Sequence, residues 1–365
     1  NKALRAGAGE QLREVELGYA DIAYLQYTGG TTGVSKGAML SHRNMVYNVQ
    51  QTIVWQGDAY EGVEPIVAIT ALPLYHIFSL EGNCLTVMAQ GGQNVLITNP
   101  RDFEAFAKEI ARFEFNLFTG VNTMFASLMH TPSFDKIDFS HMRVSIGGGM
   151  AVQPAVAEEW KQKTGQTILQ GYGLTETSPV AICCKIGSEF DGSIGLPVPS
   201  TDVMIAGDDG NPLPLNTVGE ICIKGPQVMV GYWQRPQETA EVMLPGGWLR
   251  TGDVGRIDED GYIWIEDRKK DMILVSGFNV YPNEIENVVV ELEGVLEAAA
   301  IGIPDERSGE VVKIFAVRKD DALTEQDVLD HCREHLTGYK RPKFIEFRDD
   351  LPKTNVGKIL RRALR

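Results

Sequence analysis

A chain of 365 residues, 43% hydrophobic and 23% charged, exceeds what one hydrophobic core usually serves, so two or more globular domains are expected. A formal net charge of -15 excludes a protein that coats nucleic acid, which needs a broad basic surface, so any anionic ligand must be met by local basic groups. No apolar run is long enough to cross a bilayer, and Cys84, Cys183, Cys184, Cys222 and Cys332 form no Cys-x-x-Cys pair, which reads as reduced thiols in a soluble, cytoplasmic protein.

The first residues lack an initiating methionine and include the linker-like Ala6-Gly7-Ala8-Gly9, so the chain is expected to begin partway through a larger protein. An apolar run over 22–27 leads into a glycine-rich stretch, and Ser41-His42-Arg43-Asn44 opens a helix toward Trp55, giving strand, loop, helix. Residues 65–72, 94–97, 116–120, 143–146 and 167–170 read as short apolar strands, separated by helix-length segments at 102–113, 121–130 and 154–163. This alternation predicts an α/β fold with a largely parallel sheet, with the 27–37 loop at the carboxyl ends of its strands, where ligands gather. From about residue 191, Gly, Pro and Asp punctuate short runs at 202–206, 219–224, 253–258 and 262–266, which predicts a small β-barrel-like subdomain nearly free of helix. The charged cluster 266–271 marks a junction. Beyond it, a helix at 282–292, strands at 296–303 and 311–317 and a helix at 324–336 predict a small α+β lid domain. The expected division is therefore 1–190, 191–267 and 268–365.

The stretch Tyr27-Thr28-Gly29-Gly30-Thr31-Thr32-Gly33-Val34-Ser35-Lys36-Gly37 has the chemistry to hold a polyphosphate. Glycines permit positive φ and close approach of backbone N–H groups, while hydroxyls and Lys36 add donors and charge. The kinase and ATPase pattern Gly-x-x-x-x-Gly-Lys-Ser/Thr is not met, because Gly37 follows Lys36, so this is a phosphate loop of another kind. Five further segments stand out: Pro73-Leu74-Tyr75-His76-Ile77-Phe78; Gly171-Tyr172-Gly173-Leu174-Thr175-Glu176-Thr177; Gly247-Trp248-Leu249-Arg250-Thr251-Gly252-Asp253; Asp267-Arg268-Lys269-Lys270-Asp271 with Ser276-Gly277-Phe278-Asn279; and Pro352-Lys353-Thr354-Asn355-Val356-Gly357-Lys358. In this order they resemble the acyl-adenylate-forming superfamily of acyl-CoA synthetases, luciferases and peptide-synthetase adenylation domains, from Tyr27 to Lys358. The wording from Asp267 to Ile273 and from Ser276 to Pro282 is similar to bacterial long-chain fatty acid–CoA ligases. Relative to that family, an N-terminal part ahead of the phosphate loop is expected to be missing.

The resemblance implies a two-step reaction: a fatty acid and ATP give acyl-AMP and pyrophosphate, then CoA displaces AMP. Bringing anions together in line calls for amides, hydroxyls, a lysine and a metal. By matching position, Thr28, Gly29, Gly30, Thr31, Thr32, Gly33 and Lys36 would contact the β- and γ-phosphates, and Ser35 stands where many members carry proline. Gly148 and Gly149 would pass the adenine, and Gly171, Tyr172 and Gly173 would hold it. Thr175 would lie at the α-phosphate and Glu176 on Mg²⁺. Asp253 would take the ribose hydroxyls and Arg268 would reach the nucleotide. Lys270 would be the hinge of the lid. Lys358 would bridge carboxylate and α-phosphate, and His76 would gate the acyl channel. Ser276, Gly277 and Phe278 would line the path of CoA, with Asn279 where some relatives carry arginine. The expected small molecules are ATP, Mg²⁺, CoA and a fatty acid, with no nucleic acid; contact with the inner face of the membrane and a homodimer stand open. Two other readings are a ligase for an aryl, amino or medium-chain acid, and a nucleotide-binding fragment with little turnover. His331 and His335 read as a helix face rather than a zinc site, and Cys183-Cys184 as packed core.

Overall fold

Continuous apolar runs separated by helices give strands covered on both faces, and these strands form a seven-stranded sheet. Its order is Gln93–Leu96, Val67–Thr70, Leu117–Gly120, Val144–Gly148, Ile168–Gly173, Val180–Cys183 and Leu196–Pro197. The first five strands run parallel; Val180–Cys183 returns antiparallel, and Leu196–Pro197 turns back beside it. This is a computed structural model, and it describes residues 2–11, 14–28, 35–354 and 357–365. Helices Phe103–Ile110, Asn122–Met129 and Pro154–Thr164 cover the sheet through a core in which Phe106, Phe118, Phe125 and Trp160 are no more than 1% exposed. Trp160 meets Phe125 edge-on, with ring centroids 4.9 Å apart.

The segment bearing the glycine-rich loop differs from the expected strand, loop and helix. Ile22–Tyr27 pairs antiparallel with a second strand, Gly37–Ser41, which in turn pairs with Gly231–Tyr232. The loop therefore joins a hairpin in a separate three-stranded sheet rather than leaving the parallel one. The expected helix follows as His42–Gln56, and Ser41 caps it by accepting from the Asn44 N–H at 3.2 Å. Its buried face is polar. Asn48 exchanges two hydrogen bonds with Val180, at 2.7 and 2.9 Å, and Asn44 donates to the carbonyls of Pro226 and Val228, both at 2.8 Å. The helix is thus a strut that fixes loops by their backbones.

The β-rich stretch is a five-stranded antiparallel sheet: Asp202–Ala206, Gly219–Lys224, Trp248–Ile257 and Met243–Leu244, with Ile263–Arg268 paired to Trp248–Ile257. Its single helix among the described residues, Pro236–Val242, sets a proline at its start, where the missing N–H costs nothing. Its core is shared: Ile205, Ile221 and Ile223 cluster with Leu40 of the hairpin and Tyr172 and Ile182 of the larger sheet. The C-terminal residues build their own sheet from Phe278–Val280, Ile273–Val275, Gly309–Arg318 and Val295–Asp305, with Phe344–Phe347 parallel to Gly309–Arg318. Helices Pro282–Glu291 and Glu325–His335 close a separate core there. No helix among the described residues is long and apolar enough to cross a membrane.

Candidate active site

One cleft of about 1030 Å³ lies where the parallel strands end and the C-terminal residues fold over them. Thr28, His76, Gly149, Gly171, Tyr172 and Gly173 line it, as do Thr175, Glu176, Asp253, Arg268, Lys270 and Lys358. Gly29, Gly30, Thr31, Thr32 and Gly33 lie outside the described residues. At the hairpin base the Thr28 N–H donates to the Lys36 carbonyl at 2.9 Å, and Ser35 Oγ donates to the Thr28 carbonyl.

The strand Ile168–Gly173 ends in a single 3-10 turn, Thr175–Thr177, which presents Glu176. Its carboxylate accepts from Tyr232 Oη at 2.6 Å, and Lys36 Nζ sits 4.8 Å from the centre of the same ring. Tyr232 thus joins Lys36 to Glu176, a link that nothing near it in sequence announces. Desolvation, and then the Glu176 charge, raise the Tyr232 phenol pKa above its ordinary value, so it stays a donor. Across the cleft, Tyr172 Oη donates to Asp253 Oδ2 at 2.7 Å, and Arg268 Nε stands 3.4 Å from Asp253 Oδ1. Asp253 is itself placed by its N–H donating to Thr251 Oγ1 at 3.1 Å. Both of its oxygens face the cleft's polar groups, an arrangement that suits paired hydroxyls.

Lys358 enters from the C-terminal unit. A Cβ on Gly149 would stand 3.0 Å from Lys358 Cε and 3.5 Å from Nζ, and Gly149 has φ +79°, so glycine meets both a steric and a backbone need. Thr123 Oγ1 donates to the Gly357 carbonyl at 3.2 Å and pins the loop's base to the large unit. Desolvation lowers the Lys358 pKa to about 8; Arg268 adds to the lowering, and Asp253 and Glu176 oppose it. Burial, and then Lys358, lower His76 to about 4, so His76 is a neutral ring at neutral pH; its Nδ1 accepts from the Phe78 N–H at 3.3 Å. Gly148 is packed close too, since a Cβ there would lie 3.0 Å from the Gly171 carbonyl.

Ser276, Gly277 and Phe278 are not in the cleft. They form the tip of an exposed hairpin, with Ser276 at φ +51°, Gly277 at φ +84° and Phe278 stacked on Tyr339 at 4.7 Å. His331 spends Nε2 on the Val288 carbonyl at 2.9 Å, as a helix-face residue would, and Cys183 and Cys184 are buried. Among the described residues, no three His, Cys, Asp or Glu side chains converge to hold a metal. Glu176 alone suits a hard cation that takes its other ligands from phosphate and water, as Mg²⁺ does.

Residues 3–233 match the AMP-binding enzyme family, and residues 284–358 match the AMP-binding enzyme C-terminal domain. The chain belongs to the AMP-binding enzyme family. Within it, the chain is 55% identical over 364 residues to a long-chain-fatty-acid–CoA ligase of Escherichia coli O6:H1, covering 100% of this chain and 64% of that protein. The corresponding ligase of Bacillus subtilis is 42% identical, across 94% of this chain and 61% of its own length. The chain thus spans just under two thirds of these relatives. ATP-bound MatB from Rhodopseudomonas palustris superposes with a TM-score of 0.89 at 34% identity, covering 99% of this chain and 71% of that one. The apo form of MatB superposes with a TM-score of 0.74, over the same shares at 34% identity.

Proposed function

We propose that this chain activates a long-chain fatty acid with ATP and passes the acyl group to CoA. The carboxylate oxygen attacks the α-phosphorus, the bond to the bridging oxygen breaks, and pyrophosphate leaves. The CoA thiol then loses its proton to water and its sulfur attacks the acyl carbonyl, and AMP departs with the bond electrons. The observation that carries this reading is the placement of Lys358, brought from the C-terminal unit through the gap beside Gly149 into a cleft shared with Glu176, Asp253 and Arg268. The 55% identity to a fatty acid ligase supports the substrate class. So does an apolar part of the lining that includes Trp55, Phe78, Val180, Ile186 and Phe190.

In this reading the ammonium of Lys358 bridges the carboxylate and the α-phosphate and offsets the charge that develops between them. Asp253 and Tyr172 hold the ribose and adenine sides, Arg268 reaches the nucleotide, and Thr175 stands at the α-phosphate. Glu176 would hold Mg²⁺, which neutralises phosphate charge when bound. Thr28 and Lys36 grip the pyrophosphate side, together with Gly29, Gly30, Thr31, Thr32 and Gly33. His76 borders the acyl path, Lys270 serves as the hinge, and Ser276, Gly277 and Phe278 meet CoA in the second step. A division at about 190 and 267 follows the separate β-rich sheet, although Leu196–Pro197 joins the seven-stranded sheet, Gly231–Tyr232 pairs with the hairpin, and the β-rich part shares its core with the larger one. A long-chain acid partitions into bilayers, which supports a working position at the inner face of the membrane.

Exchange of labelled pyrophosphate into ATP, driven by acids of differing length and polarity, tests the reading. Long-chain acids should drive exchange and aryl or amino acids should not. ATP binding without exchange for any acid would favour a nucleotide-binding role instead, a reading kept open by the 64% span. Lys358→Ala should lower exchange by about 100-fold or more while changing thioester formation from supplied acyl-adenylate by less than about threefold. Equal losses in both steps would contradict the role given to Lys358.

A further inference from the structure

Arg361 has no part in the roles above, yet few side chains in the protein are held at so many points. It lies three residues beyond Lys358 and opens the 3-10 turn Arg361–Ala363. Its side chain is 16% exposed. Nε donates to Glu286 Oε1 at 2.9 Å, and Nη2 donates to Glu286 Oε2 at 2.7 Å and to Asn283 Oδ1 at 2.8 Å. Nη1 stands 3.5 Å from Asp271 Oδ2. Glu286 is fixed in turn, because its Oε1 accepts from the Ala300 N–H at 2.8 Å.

The same contacts continue toward the nucleotide side of the cleft. The Asn283 N–H donates to Asp267 Oδ2 at 2.8 Å, and Asp267 Oδ1 accepts from the Arg268 N–H at 2.6 Å. The Arg268 side chain then pairs with Asp253 at 3.4 Å. An unbroken series, Asp253, Arg268, Asp267, Asn283, Arg361, therefore joins the carboxylate on one wall of the cleft to the segment that carries Lys358. It spans Lys270 without using it.

We infer that Arg361 is the positioning residue for Lys358, a role that rests on the adenylating reaction proposed above. The Lys358 loop is tied at its base by Thr123 on the Gly357 carbonyl and by the Leu360 N–H on the Pro352 carbonyl at 2.7 Å, and Arg361 holds the segment just beyond it. The loop's own turn is closed by the Thr354 N–H on the Lys358 carbonyl at 2.7 Å and by the Lys358 N–H on Thr354 Oγ1 at 3.1 Å, and Gly357 has φ +83°. A planar fork is needed to satisfy Glu286, Asn283 and Asp271 together; an ammonium is a point charge and meets at most part of the set. Stability alone accounts poorly for such an arrangement, since well-packed apolar groups often replace a buried ion cluster without loss. Fixing a reacting group does account for it, because misplacing such a group by about 1 Å costs on the order of 100-fold in rate.

The test uses the whole chain, with fatty-acid-driven pyrophosphate exchange as the main readout. Arg361→Lys should lower the kcat of exchange by about 10- to 100-fold, with the KM for ATP within about threefold. Guanidinium ion added below denaturing concentration should restore at least about fivefold of the rate lost in Arg361→Ala, by refilling the site, and should restore none to Lys358→Ala. An unchanged kcat in Arg361→Lys, a KM that rises in step with the loss, or no rescue of folded Arg361→Ala would overturn the inference. Should Arg361→Ala not fold, Glu286→Gln keeps the shape and removes the charge; a kcat equal to that of the unaltered chain would then overturn it. Labelling of the Lys358 amine by acetic anhydride, followed by peptide mass, needs no turnover. It should be about tenfold faster in the Arg361 variants, and equal rates count against the inference even if the unaltered chain shows no exchange, a result that would itself sink only the reaction.

Discussion

Lys358 shows how position sets chemistry at one residue. Its pKa falls from an ordinary 10.5 to about 8, chiefly because the cleft strips water from the ammonium, with Arg268 adding repulsion. If the ammonium is the working form, kcat/KM for ATP should drop about tenfold per pH unit once pH passes about 8, since that ratio reports the free enzyme. Bound phosphates favour the charged form, so kcat should hold to higher pH. The stability effect has the opposite sign. A lysine with a folded pKa below its unfolded one binds fewer protons when folded, so it costs stability below about 8, and the cost fades as pH climbs toward 10.5. Unfolding driven by this group therefore cannot mimic the activity loss. His76, lowered to about 4, is already neutral and adds no second limb above neutrality. A kcat/KM profile from pyrophosphate exchange that stays flat to about pH 9.5 would remove Lys358 from the charged role.

At the level of elements, the helix His42–Gln56 carries more than its own stability. Ser41 accepts from the Asn44 N–H, and both the Ser41 N–H and Oγ donate to Asn44 Oδ1, at 2.9 and 2.7 Å. That locks the Asn44 amide so that its nitrogen reaches Pro226 and Val228, a few residues ahead of Tyr232. Ser41→Ala should cost about 1 kcal/mol in urea unfolding, the usual effect of losing such a cap. A cost under about 0.3 kcal/mol would mean that the cap does not hold the helix. The same stretch marks where pattern reading fell short. The parallel strands were legible because strands covered on both faces are largely apolar, as at Leu117–Gly120, which is buried throughout. Gly37–Ser41 was not, because its flanking glycine and serine look like loop, and only pairing with Ile22–Tyr27 makes it a strand. Asn44, Asn48 and Gln51 also hid the buried face of the helix, since their partners are backbone groups more than 130 residues away. Glu176, Asp253, Arg268 and Lys358 stand in motifs that the sequence shows and line one cleft, whereas Tyr232 and Arg361 do not stand out, because their value lies in partners 56 and 75 residues distant.

Across the whole molecule, two units with cores of their own meet over the cleft. Here Lys358 faces it, while the hairpin of Ser276, Gly277 and Phe278 points to solvent with Phe278 55% exposed. If the hairpin serves CoA, its residues should matter only after acyl-adenylate has formed. Phe278→Ala removes a side chain that stacks on Tyr339 and does not line the cleft, so pyrophosphate exchange should stay within about twofold. Thioester formation from supplied acyl-adenylate should then show a KM for CoA raised about three- to tenfold, the worth of one aromatic contact. Losing both activities in parallel would mean that the hairpin acts through the stability of its own sheet, and losing neither would leave CoA to a surface elsewhere. The two steps can thus be separated by two substitutions on one unit, at Lys358 and at Phe278. That separation is what a unit presenting different faces to one cleft requires, and a single fixed face would couple the two losses.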